Sequence, residues 1–310
     1  LYKNQTVRYR LWSTNPRLKH VDIPPINSII REIEIASSKL GYIPDPTNPI
    51  THNERIINLK LFRPPINASE YADKLKVKKL LSKKLKYAAI PKVYAIAKSG
   101  KTIDLNKVPK NFVMKSNHGN SQVKVIENKE KVDREQLVHT ANNWINTTYG
   151  LNSNEKWYSK IDAKVFFEQH IRNPNGRPVN ELKIHVFNGK PRLLQYISNL
   201  QAGNAEEYYL TSSWLPLPFF MGQSPMRTIP SPPFFLDEVL EDCRALGTIN
   251  NYLRVDFLIT TKKFYLGEIT FAHLAGWKPL VDRRSRTDSK RSFELDKRIG
   301  ELWGNKSSAR

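Results

Sequence analysis

The sequence predicts an α+β chain whose strands come mostly as antiparallel pairs, and three observations carry that expectation. Asn188-Gly189 lies between two apolar-rich runs, 181–187 and 190–197, and both residues tolerate the positive φ of a tight hairpin turn. Residues 252–259 and 264–271 alternate polar and apolar side chains around a short polar loop, which gives a second hairpin. Apolar residues at helical spacing mark 27–40, 133–145 and 236–246 as helices.

Taken in order, 27–40 reads as a helix stopped by Gly41, and the Pro44–Pro49 segment cannot continue regular structure. Residues 70–87 alternate Lys with Leu and Val, which predicts an amphipathic helix with a solvated Lys face. Short strands follow at 91–97 and 111–115. The polar loop 116–122 then leads to a strand at 123–127. Asp133 and Gln136 resemble a capping box for a helix whose apolar stripe is Leu137, Ala141, Trp144 and Ile145, ended by Gly150. Residues 165–171 read as a strand. Residues 210–234, rich in Pro, Trp and Phe, read as an irregular connection before the helix that carries Cys243 on its apolar side.

The chain has 310 residues, 39% hydrophobic and 10% aromatic, enough for a core and against global disorder. Its net charge of +21 fits nucleic acid, anionic membrane, polyanionic glycan or phosphorylated small molecules. The densest basic runs are 74–86 and 283–291, and no nucleic-acid motif accompanies them, so no nucleic-acid partner is expected. The longest near-apolar stretch, 88–97, is far shorter than the ~18 residues of a membrane span. No apolar h-region follows the basic start at 1–12, although a chain opening at Leu1 leaves an upstream segment open. One cysteine forms neither an internal disulfide nor a Cys-based zinc site, and a reducing cytoplasm is the expected setting.

The 252–271 hairpin carries the most chemistry. With a three-residue loop at 261–263, Thr260 pairs with Phe264, Asp256 faces Glu268 and Arg254 faces Thr270. These four polar groups then share one face, and Leu253, Val255, Phe257, Ile259, Tyr265, Ile269 and Phe271 share the other. Facing carboxylates repel, and a divalent cation such as Mg²⁺ resolves the conflict. An Arg beside them stabilises charge developing in a transition state. The competing reading is a surface hairpin whose acids pair with nearby Lys or Arg.

Upstream, Lys115 ends a strand before the small, amide-rich loop Ser116-Asn117-His118-Gly119-Asn120-Ser121-Gln122. Backbone N–H groups in such a loop surround phosphate oxygens while the Lys adds a compact charge, or the loop is an ordinary surface hairpin with an exposed His118. Glu168 follows an apolar strand, and Lys183 lies on the next one. Each also fits a strand-end salt bridge. Tyr208, Tyr209, Trp214, Phe219 and Phe220 fit either sugar stacking or core.

In this order, Lys115 with its loop, FFEQHI, ELKIHVFNGKPR and RVDFLI…YLGEITF…AG resemble the ATP-grasp superfamily. YADKLKVKKLL, FVMKSNHGNS, KIHVFNGKPRLL, YLGEITFAHLAG and LDKRIG resemble, more narrowly, the TupA-like ATP-grasp family, associated with teichuronopeptide and other bacterial surface polysaccharides. The resemblance covers roughly 70–300. It implies nucleotide held between two antiparallel-sheet subdomains: an N-terminal segment at 1–110, a small subdomain with lid and adenine hinge at 111–185, and a large subdomain with the metal hairpin at 186–310. It further implies ATP and Mg²⁺ as cofactors, with Lys115, Ser116, Asn117, His118, Gly119 and Lys183 at the nucleotide and Glu168, Gln169, His170 and Ile171 as the hinge. Asp256, Glu268 and Thr270 would hold metal, Thr270 standing where many relatives have Asn, with Arg254 and Lys115 catalytic.

The activity implied is a carboxylate–amine ligase working through an acylphosphate. Its acid would be a uronic acid of a capsule, O-antigen or teichuronic-type glycan, and its amine an amino acid or amino alcohol. The setting would be cytoplasmic, at or near the inner face of the membrane with its glycan-assembly machinery. A glycan kinase of the same fold and a non-catalytic polyanion-binding module are the alternatives.

Overall fold

The computed structural model describes residues 24–199, 203–285 and 288–304. The basic start at 1–12 and Arg286 of the late basic run lie outside them. In chain order the larger elements are helices α1 (Ile26–Leu40), α2 (His52–Phe62), α3 (Ala68–Ala72) and α4 (Lys74–Leu81), strands β1 (Val93–Ala97), β2 (Phe112–Ser116) and β3 (Val123–Ile126), then α5 (Arg134–Asn146) and β4 (Val165–Glu168). They continue as β5 (Asn180–Phe187), β6 (Lys190–Ser198), β7 (Glu206–Thr211), β8 (Phe219–Phe220), β9 (Ser224–Pro225), α6 (Leu236–Leu246), β10 (Tyr252–Ile259), β11 (Phe264–Thr270), β12 (Val281–Asp282) and α7 (Ser289–Glu301).

α1 ends as expected, with Gly41 in the left-handed region at φ 78°. The expected 70–87 helix is broken in two. Asp73 leaves the helical region and its carboxylate accepts from the Leu75 and Lys76 amides, so α4 starts afresh and stops at Leu81. α5 begins on Asp133, which accepts from the Gln136 amide, but it ends at Asn146, ahead of Gly150.

β1–β4 form one antiparallel sheet in the order β1-β4-β2-β3, backed by Leu137 and Ala141 of α5 in a core of their own. The larger sheet runs β11-β10-β5-β6-β7-β9. The Asn188-Gly189 turn joins β5 to β6, with φ of 48° and 76°. The apolar alternation of β5 and β10 buries Leu182, Ile184, Val186, Leu253, Val255 and Phe257 in the main core, with Val239, Leu240, Cys243 and Leu246 of α6. The 210–234 connection carries the short strands β8 and β9, and Tyr208, Tyr209 and Phe219 are core residues. Among the described residues no helix is long and apolar enough to cross a membrane.

Candidate active site

In the β10–β11 hairpin Asp256 does face Glu268, and Arg254 faces Thr270. The route to that register differs from the simple count. Ile259 pairs with Phe264, so the loop has four residues, Thr260 to Lys263, and a bulge at Gly267 restores the register beyond it. Tyr265 consequently lies on the polar face and Leu266 takes the core position. Gly267 is where the bulge fits: a Cβ there would stand 3.0 Å from the Asp256 carbonyl oxygen.

Strand register aligns one row of side chains across five strands, Glu268–Asp256–Lys183–Gln195–Tyr209, with Thr270–Arg254–His185 as the next row. The Arg254 guanidinium grips Asp256 with two hydrogen bonds of 2.6 Å and donates to Thr270 Oγ1 at 3.3 Å. Lys183 Nζ lies 3.2 Å from Asp256 and 3.0 Å from Glu181. Lys74 Nζ, from the start of α4, lies 3.0 Å from Glu268 and donates to Gly119 O at 2.6 Å, tying the polar loop to the hairpin. Burial opposes the charge on Glu268, yet Lys74, Lys183 and Arg254 outweigh it and bring its carboxyl down to about 2. Burial likewise opposes the charge on Lys183, and Asp256 and Glu181 hold its pKa above the usual lysine value.

On the smaller sheet, Glu168 is buried between Lys115 at 2.6 Å and Lys78 at 3.0 Å. Burial pushes the Glu168 carboxyl up, but the two ammonium groups bring it below its ordinary range. Glu168 therefore holds lysines, as the salt-bridge alternative had it. Burial opposes the charge on Lys115, and Glu168, with smaller contributions from Glu268 and Glu181 of the larger sheet, raises its pKa above the usual lysine value.

The side chains of the loop brace it from within. Ser116 Oγ accepts from the Gly119 amide, and Asn117 binds the backbone of Asp162 and Lys164. His118, which the sequence left as either an exposed loop residue or a phosphate contact, is 2% exposed, with Nε2 against Thr147 O at 3.0 Å. The loop's backbone is engaged as well: the Ser116 and Asn117 amides donate to Gln122 O and Lys164 O, as the Gly119 amide does to Ser116 Oγ. Beyond Glu168, the Gln169 amide donates to Lys92 O, His170 accepts from Arg172, and Ile171 joins Val179 and Tyr265 in a small apolar cluster flanked by Ala89 and Leu258.

Lys74 and Lys78 belong to this site, although their run in the sequence reads as a solvated face. Their four-residue spacing beside the buried stripe of Val77 and Leu81 was the available signal, since residues four apart share a helix face. In chemical terms the site is four carboxylates, Glu168, Glu181, Asp256 and Glu268, with four lysines and one arginine beside the polar loop. Such a donor set suits a hard cation together with phosphate.

A family model described as TupA-like ATPgrasp matches residues 54–289. The chain belongs to the TupA-like ATP-grasp family. Its two sheets, antiparallel but for the β7–β9 pair, and their flanking helices are accordingly the ATP-grasp fold. Among solved structures, the ATP-grasp ligase PsnB in complex with minimal precursor, Mg and ADP is 14% identical, covering 66% of this chain and 52% of its own, with a TM-score of 0.37. D-alanine–D-alanine ligase from Bacillus anthracis complexed with ATP is 15% identical, covering 77% and 69%, with a TM-score of 0.39. A RiPP-associated ATP-grasp ligase from Chryseobacterium gregarium, in complex with ADP and a leader and core peptide, is 13% identical, covering 78% and 62%, with a TM-score of 0.38. The TupA-like chain thus spans about half the length of PsnB. No curated protein sequence matches it.

Proposed function

We propose that the chain is an ATP- and Mg²⁺-dependent carboxylate–amine ligase whose acid is a uronic acid of a bacterial surface polysaccharide. The observation that carries this reading is the Glu268–Asp256–Lys183 row with Arg254 beside it, met from the other sheet by Lys115. Asp256 and Glu268 fit Mg²⁺ in donor type, and Thr270 offers a third oxygen. The metal supplies Lewis-acid and template chemistry at the phosphates.

The remaining work falls to side chains. Lys115 and Lys183 orient the phosphates beside the 116–122 loop. Glu168 keeps Lys115 charged and in place, and the apolar cluster at Ile171 offers the adenine ring a surface beside the 168–171 segment. A substrate carboxylate then attacks the γ-phosphorus, the bond to ADP breaks, and an acylphosphate forms. An amine attacks the acyl carbon, loses a proton, and expels phosphate. Arg254 steadies the negative charge on the tetrahedral centre. The net charge of +21 draws ATP and an acidic glycan alike, which supports an intracellular site close to glycan assembly.

Calorimetry of ATP binding with and without Mg²⁺ tests the nucleotide site. Metal-dependent binding lost in Asp256→Asn/Glu268→Gln is expected, and binding indifferent to both overturns it. Free phosphate released only when a uronic acid and an amine are both present identifies the ligase. Phosphate retained on the glycan would make the enzyme a kinase.

A further inference from the structure

Beside Arg254 lies a cluster that the reading above leaves unused. His52 opens α2, His185 faces Arg254 from β5, and His273 follows β11, so three distant segments converge. The three residues are 1%, 0% and 2% exposed. One ring nitrogen from each lies within 4.8 Å of the other two. His52 Nε2, His185 Nε2 and His273 Nδ1 are buried without a hydrogen-bond partner, and Phe187, Tyr252 and Trp303 pack around them. Burial lowers the pKa of all three, and the charge of Arg254 adds to this at His185 and His273, so the rings stay neutral, the form that ligates.

Unpartnered buried polar atoms are rare because each forfeits its hydration. One cation would satisfy three of them together. Imidazole nitrogens suit zinc and its neighbours, whereas Mg²⁺ takes oxygen ligands. We propose that His52, His185 and His273 form a site for a zinc-like transition-metal ion, separate from the carboxylate pair of the β10–β11 hairpin. Trp303 is coupled to it. The Trp303 indole N–H donates to His52 Nδ1 at 3.0 Å, and an indole nitrogen only donates, so His52 carries its ring proton on Nε2. Ligation through Nε2 moves that proton to Nδ1 and displaces the indole N–H, with no net proton released.

The test uses the full chain, stripped with a chelator and titrated with Co²⁺. The expected result is one saturating equivalent with the intense visible band of tetrahedral Co²⁺, displaced by Zn²⁺, accompanied by a change in tryptophan emission and retained in Glu268→Gln. His273→Gln weakens binding more than about 100-fold, since even outer-shell changes cost 10–100-fold. Trp303→Phe, which removes the competing donor, tightens it about fivefold, the worth of one neutral hydrogen bond. Absence of saturable Co²⁺ binding, with water alone between the rings, overturns the proposal. So does a pale octahedral spectrum lost in Glu268→Gln. Should His273→Gln fail to fold, the wild-type spectrum and the Trp303→Phe shift decide.

Discussion

Lys78 and Lys115 divide one carboxylate between them, and Glu168 between them is nearly sealed from water. Removing Lys78 leaves a buried acid with half its compensation. Lys78→Ala is expected to cost about 3 kcal/mol in denaturant unfolding, the scale of a broken buried pair, and adding Glu168→Gln should recover part of it. Glu268 makes a second residue-level prediction. Its folded carboxyl binds fewer protons than the unfolded one, so its stabilising contribution is complete above about 4.5 and is lost as pH falls toward about 2. Acid-unfolding curves of the wild type should steepen across that window relative to Glu268→Gln. At this scale the sequence displayed the acids better than the bases. Asp256 and Glu268 interrupt apolar strands and draw attention, whereas Lys74 and Lys78 are two of seven lysines between 74 and 86, in which only packing separates buried from solvated.

For elements, the β10–β11 hairpin shows how a correct pairing arises from two offsetting departures. A three-residue loop without a bulge and a four-residue loop with one place Asp256 opposite Glu268 equally well, and only the strand half next to the turn distinguishes them. Phe264-Tyr265-Leu266 is apolar throughout, so alternation carries no phase there, and Tyr265 was assigned to the wrong face. The helix at 70–87 failed for a different reason: Asp73 offers its carboxylate to two amides, a local gain that propensity over the whole run does not register. Gly267→Val should push against the Asp256 carbonyl, lowering stability by about 1–3 kcal/mol in chemical unfolding. The same variant should weaken metal-dependent ATP binding, because the carboxylates lose their shared register.

Across the whole molecule, the hairpin units and the α6 core were legible from periodicity, but the way they join was not. Nothing local in 180–187 announces that it pairs with 252–259, and the seam between β5 and β10 joins the two hairpins of the large sheet. Such a non-local contact closes a long loop before it stabilises anything, so it forms late. Pulse-labelling hydrogen exchange during refolding should protect the β5–β6 amides before those of β10, and simultaneous protection would contradict that order. Lys183 and Asp256 meet only across this seam. During synthesis Lys74, Lys78, Lys115 and Lys183 leave the ribosome before Asp256 and Glu268 have been made, so a nascent chain carries the cations of the site without the two hairpin acids that face each other. The proposed ligase would gain its competence only with completion of the sheet, and a stalled or truncated chain would be chemically silent.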